Sequence, residues 1–533
     1  MAIYQIVFIY KMIAMNPQLQ FMLQQAIQAF QNRNFDRADS ILKKVIQIDA
    51  NNLPALHVLG LIKASQANYR EAVDFLSRAA SIHPSDASIQ YNLAKALSDC
   101  GQDIESIPHH KMAVQLAPNN PEAWLNYGNT VSKLCYHDDA STHYDQALSL
   151  KPDYVEAWFN KANAMHELKR YDEAITHYDQ ALSLKPDYAE AWSNKGLTLV
   201  ELNFHNEAIA AYSNAIELDD KFFDAYWNKA TAQLTIGNFE EGWINYEYRW
   251  KRRETEYYRH DDILLLQNLD NISQKRVLVW CDQFYGDSIQ FIRYINELVS
   301  LNAIIFLEAH PPLKDIFKNS FPECICISIG SPVPEVDYQI SISSLPLIFN
   351  TTFQKIPKSI PYLKCSKQAF DKWSEILDLE SNKINIAVAC SGNTTHFKND
   401  KKRPIKLEVF KPLLQVANLF LVQKNIEEVD KAFLLSHPEI NFLGNQIQNF
   451  DDTAAIIQKM DLTISIDTSI AHLSGAIGKK TWVLVSCSPD WRWMLNKEDS
   501  PWYLTVKLYR QPTIDDWVSV IDKVNSDLCL MLK

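Results

Sequence analysis

The feature that most constrains this chain is a 34-residue repeat in its N-terminal half. Four prolines recur at this spacing, and so do three tryptophans and three tyrosines. A period of this length is typical of antiparallel helix pairs stacked into a solenoid. Small residues recur in the same register, which indicates that the two helices of each pair approach closely and that an aromatic side chain fills the gap. The recurring residues are Pro84, Pro118, Pro152 and Pro186; Trp124, Trp158 and Trp192; and Tyr144, Tyr178 and Tyr212.

This pattern resembles the tetratricopeptide repeat (TPR). Weaker copies extend it in both directions, and we expect about seven repeats over residues 19–252. The segment HYDQALSLKPDY occurs unchanged at 143–154 and 177–188, which indicates a recent duplication. The resemblance implies an α-solenoid whose concave face binds a protein or peptide.

One asparagine recurs at the same position in the first helix of five repeats. Asparagine is a poor residue for a helix interior, so its recurrence needs a cause. The row resembles the asparagine ladder of O-GlcNAc transferase, whose amides hold an extended polypeptide by its backbone, and this implies a peptide-binding role. The alternatives are a structural asparagine copied by duplication and bonded between repeats, an intramolecular role, or a partner subunit. The five residues are Asn92, Asn126, Asn160, Asn194 and Asn228.

Composition excludes several classes of protein. A net charge of −12 and a pI of about 5.6 argue against nonspecific nucleic-acid binding. Nine cysteines lie scattered without a CxxC pair, which favours a reducing, cytoplasmic location over a disulfide framework or a zinc ribbon. No apolar run approaches the roughly 20 residues that span a bilayer, so we expect no integral membrane association. With 12 glycines there is neither a GxGxxG nor a GxxxxGK[ST] motif, which excludes the usual dinucleotide fingerprint and a P-loop NTPase.

The N-terminal extension, residues 1–18, is apolar but is interrupted by Lys11. It has neither a basic start nor a small-residue cleavage site, so a signal peptide is not predicted. Initiation at Met15 is the simpler interpretation.

After a linker at 253–274, short β-branched runs alternate with helical patterns to the C-terminus. This alternation predicts parallel sheets with helices between the strands. We expect two lobes, at 275–380 and 381–533. Strands are predicted at 276–280, 303–308, 324–330, 384–389, 419–423, 462–466 and 482–485, and a closing helix at 514–532.

The stretch 460–486 predicts a strand, a helix and a second strand. Asp467 or Thr468 suits the helix N-cap, and the free N–H groups of the first turn, with Ser469 and His472, would lie at the carboxyl end of the strand. A helix N-terminus in this position binds anions, so we predict a phosphate site. The alternative is an ordinary capped helix with a surface histidine.

Two further groups of polar residues follow predicted strands. Ser391, Gly392, Lys398 and Arg403 come after strand 384–389, and cations with backbone donors suit a diphosphate, although a solvated charged loop is the alternative. In the first lobe, Asp287 lies where strand 276–280 turns into a helix, the place where open α/β sheets bind ligands. Asp287 is a candidate general base, or simply a helix cap.

Four segments carry a specific family resemblance: CDQFYGDSIQFIRY, CSGNTTHFKND, DDTAAIIQKMDLTISIDTSIAHLSGAIGK and SPDWRWMLNKEDSPWY. They look like the glycosyltransferase domain of bacterial TPR proteins, which is related to ADP-heptose lipopolysaccharide heptosyltransferases. The resemblance covers 275–533 and implies a GT-B fold of two Rossmann-like lobes, with inverting sugar transfer that uses no catalytic metal. It implies that Asp287 is the base and that the segment Asp467–His472 binds the donor diphosphate. The chain departs from the family pattern at Phe284, where a glycine is usual, and at Cys390, where a tryptophan is usual.

The expected function is therefore transfer of a sugar from a nucleotide-sugar to an acceptor hydroxyl, without a cofactor, with a protein or peptide acceptor held by the repeats. We include Gln423, at the end of strand 419–423, among the donor-binding residues. One alternative is a heptosyltransferase-like enzyme that acts on a glycan or lipid-linked acceptor. The other is a catalytically inactive TPR scaffold that binds proteins.

Overall fold

The computed structural model describes residues 17–252, 258–282, 284–377, 379, 383–392 and 405–531. Lys398, Arg403 and most of the N-terminal extension lie outside these ranges. The chain divides into two compact units, Met1–Leu199 and Val200–Lys533.

The first unit is made of helices joined by short turns. Helices of about 14 residues pack in sequential antiparallel pairs, first with second, third with fourth and so on. The helices are α1 (Pro17–Gln31), α2 (Phe35–Ile48), α3 (Leu53–Ser65), α4 (Tyr69–Ile82), α5 (Ala87–Asp99), α6 (Asp103–Leu116), α7 (Pro121–Lys133), α8 (His137–Leu150), α9 (Val155–Glu167), α10 (Tyr171–Leu184) and α11 (Ala189–Glu201).

The recurring prolines and tryptophans are joined by hydrogen bonds. The indole Nε1 of Trp124 donates to the carbonyl of Pro118 at 2.8 Å, and Trp158 and Trp192 make the same bond to the proline six residues before them. The small residues are explained by contact as well. A Cβ on Gly128 would lie 2.5 Å from the ring of Tyr144, so only glycine fits there without a shift. The repeat in the sequence is therefore a repeat of specific contacts.

The second unit begins with helices of the same kind, α12 (His205–Leu218), α13 (Phe223–Thr235) and α14 (Phe239–Tyr246), followed by a 3₁₀ helix (Glu247–Lys251). Residues of α13 and α14 belong to the same hydrophobic core as the sheets that follow. Trp243 on α14 makes edge contacts with Phe291, Trp491 and Trp502 at 5.4 to 6.4 Å between ring centroids, and donates its indole N–H to the carbonyl of Thr351. These contacts explain why the division of the chain falls before α12.

The first sheet has four parallel strands within the described residues, in the order β3-β2-β1-β4. They are β1 (Arg276–Trp280), β2 (Ile304–Ala309), β3 (Ile325–Ser328) and β4 (Tyr338–Ser341), and the helices of this region are α15 (Tyr285–Phe291), α16 (Ile295–Ser300), α17 (Lys314–Ser320) and α18 (Leu345–Ile348).

The second sheet has six parallel strands within the described residues, in the order β10-β9-β8-β5-β6-β7. The strands are β5 (Ile384–Ala389), β6 (Ala417–Leu421), β7 (Asn441–Phe442), β8 (Leu462–Ile466), β9 (Thr481–Val485) and β10 (Val506–Arg510). The helices around it are α19 (Lys367–Ile376), α20 (Glu428–Ser436), α21 (Phe450–Lys459), α22 (Ser469–Ala476) and α23 (Trp517–Met531), with 3₁₀ helices at Leu407–Gln415 and Trp491–Trp493.

The coarse architecture predicted from the sequence is confirmed: a helical repeat solenoid precedes an α/β region built on parallel sheets. Strands β1, β5 and β8 occupy the predicted residues, and every residue of β5 and β8 is buried. The closing helix begins at Trp517, three residues later than predicted. Among the described residues, no helix is both long enough and apolar enough to cross a membrane.

Candidate functional site

The strand order places a crevice in each sheet. In the second sheet, the chain adds β6 and β7 on one side of β5 and then returns to add β8, β9 and β10 on the other side. The strand order therefore reverses between β5 and β8. In the first sheet the same reversal lies between β1 and β4. Open α/β sheets bind ligands at the carboxyl ends of the strands at such a switch point. The predicted site residues follow β1, β5, β6 and β8.

The N-terminus of α22 lies at the switch point of the second sheet. Of the two predicted candidates, Asp467 and Thr468, Thr468 is the N-cap: its Oγ1 accepts a hydrogen bond from the backbone N–H of Ile470 at 3.3 Å. Gly392, just after β5, lies against this cap, since a Cβ on Gly392 would be 3.6 Å from Thr468 Cγ2. The structure therefore brings Gly392, Thr468 and Ser469 together at a helix N-terminus, which favours bound negative charge.

His472 is buried, with 4% of its surface exposed, so the alternative of a surface histidine is wrong. Its Nδ1 is 2.9 Å from the hydroxyl of Tyr503, and its ring stacks on Trp493 at 5.3 Å. Its Nε2 lies 3.8 Å from Oδ1 of Asp467. Gly475, one turn later, admits the ring of Tyr503, because a Cβ there would lie 2.5 Å from it. These aromatic residues fix the imidazole in one orientation.

Helix α15, from the first sheet, packs on α22. The contact is made at Gly286, where a Cβ would lie 3.0 Å from Cδ2 of His472 and 3.8 Å from Cα of Ser469. A glycine at this position lets the two backbones approach. Asp287, the next residue, is thereby held beside the N-terminal turn of α22.

The carboxylate of Asp287 is 5% exposed, and each of its oxygens accepts a hydrogen bond. Oδ2 accepts a long hydrogen bond, 3.3 Å, from the backbone N–H of Phe284, and Oδ1 accepts from Nη2 of Arg492. Burial raises the pKa of Asp287, the Arg492 cation opposes this rise, and Asp282 and Asp490 add to it. The N-cap of α15 is Phe284, so Asp287 is not the cap itself, but its carboxylate accepts the N–H of that cap residue from three positions further on. Asp287 also forms an ion pair with Arg492, a residue beyond β9.

Arg492 is the site residue that the sequence interpretation missed. Its Nε donates to Oε1 of Gln290 at 2.7 Å and its Nη1 to Oδ1 of Asp490 at 2.9 Å, while its guanidinium lies 4.3 Å from the ring centre of Trp491. Burial acts to lower the pKa of Arg492, but Asp287 and Asp490 outweigh it and the pKa lies above its ordinary range. The signal in the sequence was the aromatic cluster around Arg492, whose partner lies 205 residues away.

The side chain of Gln423 forms hydrogen bonds with the turn that follows β5. Its Oε1 accepts from the backbone N–H groups of Cys390 and Ser391, at 2.7 and 3.0 Å, and its Nε2 donates to Oγ of Ser391 at 2.6 Å. The amide therefore holds the turn that carries Gly392. A direct contact of Gln423 with a donor stays a prediction.

Two cavities lie at the carboxyl edge of the second sheet. One, of about 230 Å³, lies beyond β8 and β9, and the other, of about 590 Å³, lies beyond β6 and β7. No group of three or more His, Cys, Asp or Glu side chains is arranged to hold a metal ion in the part of the chain that the structure describes. The smaller cavity is lined by Ile466, Asp467, Leu484, Val485, Ser486, Ser488, Pro489, Asp490, Trp493 and Trp517, and the larger by Lys424, Asn425, Ile426, Lys431, Leu434, Leu435, Ile440, Phe442 and Asn445.

In the first unit, the side-chain amides of the predicted asparagine ladder bond between repeats. Each Nδ2 contacts a side chain of the preceding repeat, as expected of a structural asparagine that is bonded between repeats. Peptide binding by these amides stays a prediction. The contacts are Asn92 to Nε2 of His57 (3.0 Å), Asn126 to the hydroxyl of Tyr91 (2.8 Å), Asn160 to Oδ1 of Asn129 (2.8 Å) and Asn194 to Oδ1 of Asn163 (3.1 Å). Asn228 lies in the second unit, half-buried on α13.

A second asparagine completes this arrangement. Oδ1 of Asn163 accepts from the hydroxyl of Tyr178 at 2.5 Å as well as from Asn194, and Asn129 has the same two kinds of donor. One amide oxygen thus satisfies two polar groups that packing has removed from water. The recurrent tyrosine and the recurrent asparagines form one hydrogen-bonded unit.

Comparison with known proteins confirms the repeats. A family model described as "TPR repeat" matches residues 162–203 and 196–237. A second model, described as "Tetratricopeptide repeat", matches residues 143–176. Protein FlbA of Caulobacter vibrioides is 20% identical over 327 residues, which are 56% of this chain and 54% of FlbA. The chain thus spans about half the length of this curated relative.

Similar solved structures are repeat proteins. YrrB, described as a TPR protein with an unusual peptide-binding site, is 21% identical with a TM-score of 0.32, over 33% of this chain and 90% of YrrB. A tetratricopeptide repeat protein from Parabacteroides merdae is 16% identical with a TM-score of 0.37, over 46% of this chain and 95% of that protein. MamA is 21% identical with a TM-score of 0.30, over 31% of this chain and 95% of MamA.

We predict that Asn163→Ala destabilises the repeats by about 1–3 kcal/mol, because it leaves the buried hydroxyl of Tyr178 without its acceptor. Urea unfolding followed by circular dichroism measures this loss. Tyr178→Phe in the Asn163→Ala background should recover part of it, since the unpaired hydroxyl is then gone. Equal stability of Asn163→Ala and wild type would contradict the shared role of this amide.

A second prediction concerns acid. Burial lowers the pKa of His57 from 6.5 to about 4, and only Nε2 has a hydrogen-bond partner among the described residues. Because the folded pKa is depressed, neutral His57 stabilises the fold fully above pH 6.5, and this contribution, up to about 3 kcal/mol, is lost as the pH falls from 6.5 towards 4.

His57→Gln should remove that part of the pH dependence. The measurement is the unfolding free energy of both proteins across this pH range, and the difference between them isolates His57 from the carboxylates. Parallel curves would show that His57 does not titrate in this way.

Proposed function

We propose that the chain is a glycosyltransferase that moves a sugar from a nucleotide-sugar to an acceptor hydroxyl, with inversion and without a catalytic metal. The observation that carries the proposal is the contact of α15 with α22 at Gly286. It joins the switch points of two parallel sheets, so that a buried carboxylate from one faces a helix N-terminus from the other. A two-substrate transfer needs such a pairing: an acid-base group for one substrate and an anion site for the other.

In the proposed reaction, Asp287 takes the proton of the acceptor hydroxyl as that oxygen attacks the anomeric carbon. The new bond joins the acceptor oxygen to the sugar, the bond from the anomeric carbon to the diphosphate oxygen breaks, and its electron pair leaves with the nucleoside diphosphate. The raised pKa of Asp287 suits a group that must accept a proton.

The departing diphosphate is proposed to bind at the N-terminus of α22, against Gly392 and Thr468. The helix N-terminus carries a partial positive charge and is fixed before the reaction starts, so it stabilises the developing charge without reorganisation. His472 and Asp467 lie at the same turn, and Lys398 and Arg403 are proposed as further donor-binding cations. The cavity of about 230 Å³, which Asp467 lines, lies beside this turn and offers space for part of a nucleotide-sugar.

The proposed acceptor is a protein or peptide, because TPR repeats are typically protein-binding and occupy the whole N-terminal half. The alternatives are a glycan or lipid-linked acceptor, and a scaffold that has lost activity. The proposed compartment is the cytoplasm. All nine cysteines lie among the described residues, and none of them forms a disulfide bond there, which is consistent with a reducing environment.

The first test uses Asp287→Asn. We expect transfer from a panel of ADP-, GDP-, UDP- and dTDP-linked hexoses to fall by a factor of about 10² to 10⁴, the usual contribution of a general base. Nucleotide binding should persist, because Asp287 does not belong to the anion site. Release of nucleoside diphosphate is the readout, and Asp261→Asn, an exposed carboxylate change, is the control. Full activity of Asp287→Asn would refute the assignment.

The acceptor class is tested with a radiolabelled donor identified in that panel. A protein acceptor predicts label in the protein fraction of a cell extract, removable by protease. Label confined to the solvent-extractable fraction would establish a lipid-linked acceptor instead. Absence of both label and nucleotide binding would favour the scaffold.

A further inference from the structure

We propose that Arg492 is a positioning residue for Asp287: it holds the carboxylate by one oxygen and leaves the other to accept the proton. This rests on the proposed transferase function. The guanidinium comes from the segment beyond β9, and it reaches Asp287 and Gln290 on α15 while it remains bonded to Asp490 on its own segment. One side chain thus joins the base to the part of the protein that carries the anion site.

The direction of the guanidinium is fixed independently of Asp287. Nε is bonded to Gln290, Nη1 is bonded to Asp490, and the plane lies over the ring of Trp491. Trp491 in turn packs edge-on against Trp243 at 5.4 Å. These three contacts orient the guanidinium without any help from Asp287. The bond from Nη2 therefore sets the orientation of the Asp287 carboxylate.

The side chain of Gln290 gives a second indication that this geometry is specific. Its Oε1 accepts from Arg492, while its Nε2 is buried without a hydrogen-bond partner among the described residues. Buried amides normally satisfy both ends. Gln290 therefore leaves its Nε2 donor unsatisfied in the orientation that directs its Oε1 acceptor at Arg492.

The two oxygens of Asp287 then differ. Oδ1 accepts from Nη2 of Arg492, and within the described residues Oδ2 accepts only the long bond from the N–H of Phe284. A carboxylate oxygen can accept two hydrogen bonds. Oδ2 therefore keeps a lone pair for the acceptor hydroxyl, and the proton moves to Oδ2 as the sugar is transferred.

The surrounding charges make a cation necessary. Asp282 from the end of β1, Asp490, and Tyr246 from α14 all act on Asp287 electrostatically, and Asp467 acts on Arg492. His472 on α22 lies against Gly286. Burial and the two neighbouring carboxylates favour protonated Asp287, and Arg492 is the cation that opposes them. A base that is protonated in the resting state could not accept a proton.

The test is the titration of Asp287 in the full chain, followed by pH-difference infrared spectroscopy, with the carboxyl band assigned by its loss in Asp287→Asn. Arg492→Gln should raise the midpoint by about one pH unit or more, because an opposing charge within hydrogen-bond reach typically shifts a carboxyl pKa by 1–3 units. Arg492→Lys, which keeps the positive charge, should stay close to wild type.

Asp490→Asn is a second variant that keeps Arg492. It removes a neighbouring negative charge, so the midpoint should fall. Arg492→Met, which also removes the positive charge, decides the matter if Arg492→Gln does not fold. An unchanged midpoint in the folded variants would show that Arg492 is only a structural tie, and would overturn the proposal. The measurement needs no donor, so a failure to detect sugar transfer would refute the proposed function without changing this result. Where transfer is measurable, the acid limb of its pH profile should move with the midpoint.

Discussion

The α/β region depends on one close approach, where α15 rests on α22 at Gly286. An added Cβ would lie 3.0 Å from Cδ2 of His472, so any larger residue would displace the imidazole or separate the two helices by a few tenths of an ångström. Aromatic packing holds the approach in place: Trp243, Trp491 and Trp502 are each at most 3% exposed and contact one another edge-on. Truncating such a buried tryptophan typically costs about 3–5 kcal/mol, so this cluster is a large part of what keeps the site assembled.

Most of the framework of this region could be predicted from the sequence, because local pattern determines it. The runs that became β1, β5 and β8 are short, β-branched and apolar, and Thr468 caps its helix through a hydrogen bond to a residue two positions away. The surroundings of His472 could not be predicted, because Tyr503 lies 31 residues further along and a helical wheel does not show what covers a polar face. The pairing of Arg492 with Asp287 was beyond reach for the same reason, at a separation of 205 residues.

In the repeats, the sequence pattern located the recurrent asparagines correctly but did not determine their role. The register of the asparagines was visible in the sequence, and both a peptide-binding and a structural reason for it were available. The structure supplies partners from the preceding repeat, such as Asn129 for Asn160, 31 residues apart, because stacked helices present equivalent faces to each other. A periodic polar residue in a solenoid can therefore contact either the neighbouring repeat or a ligand on the solvent side. Periodicity alone does not distinguish these two roles.

The proposed sugar transfer depends on an anion site between Gly392 and the N-terminus of α22. The most direct test is calorimetric titration of the full chain with ADP, GDP, UDP and dTDP, for wild type and for Gly392→Leu. A Cβ added to Gly392 would lie 3.6 Å from Cγ2 of Thr468, so the longer side chain of leucine would fill the space between them. We predict that at least one nucleotide binds wild type and that Gly392→Leu abolishes this binding while the fold is retained. Binding that is unchanged by Gly392→Leu, or no binding of any of the four at millimolar concentration, would contradict it.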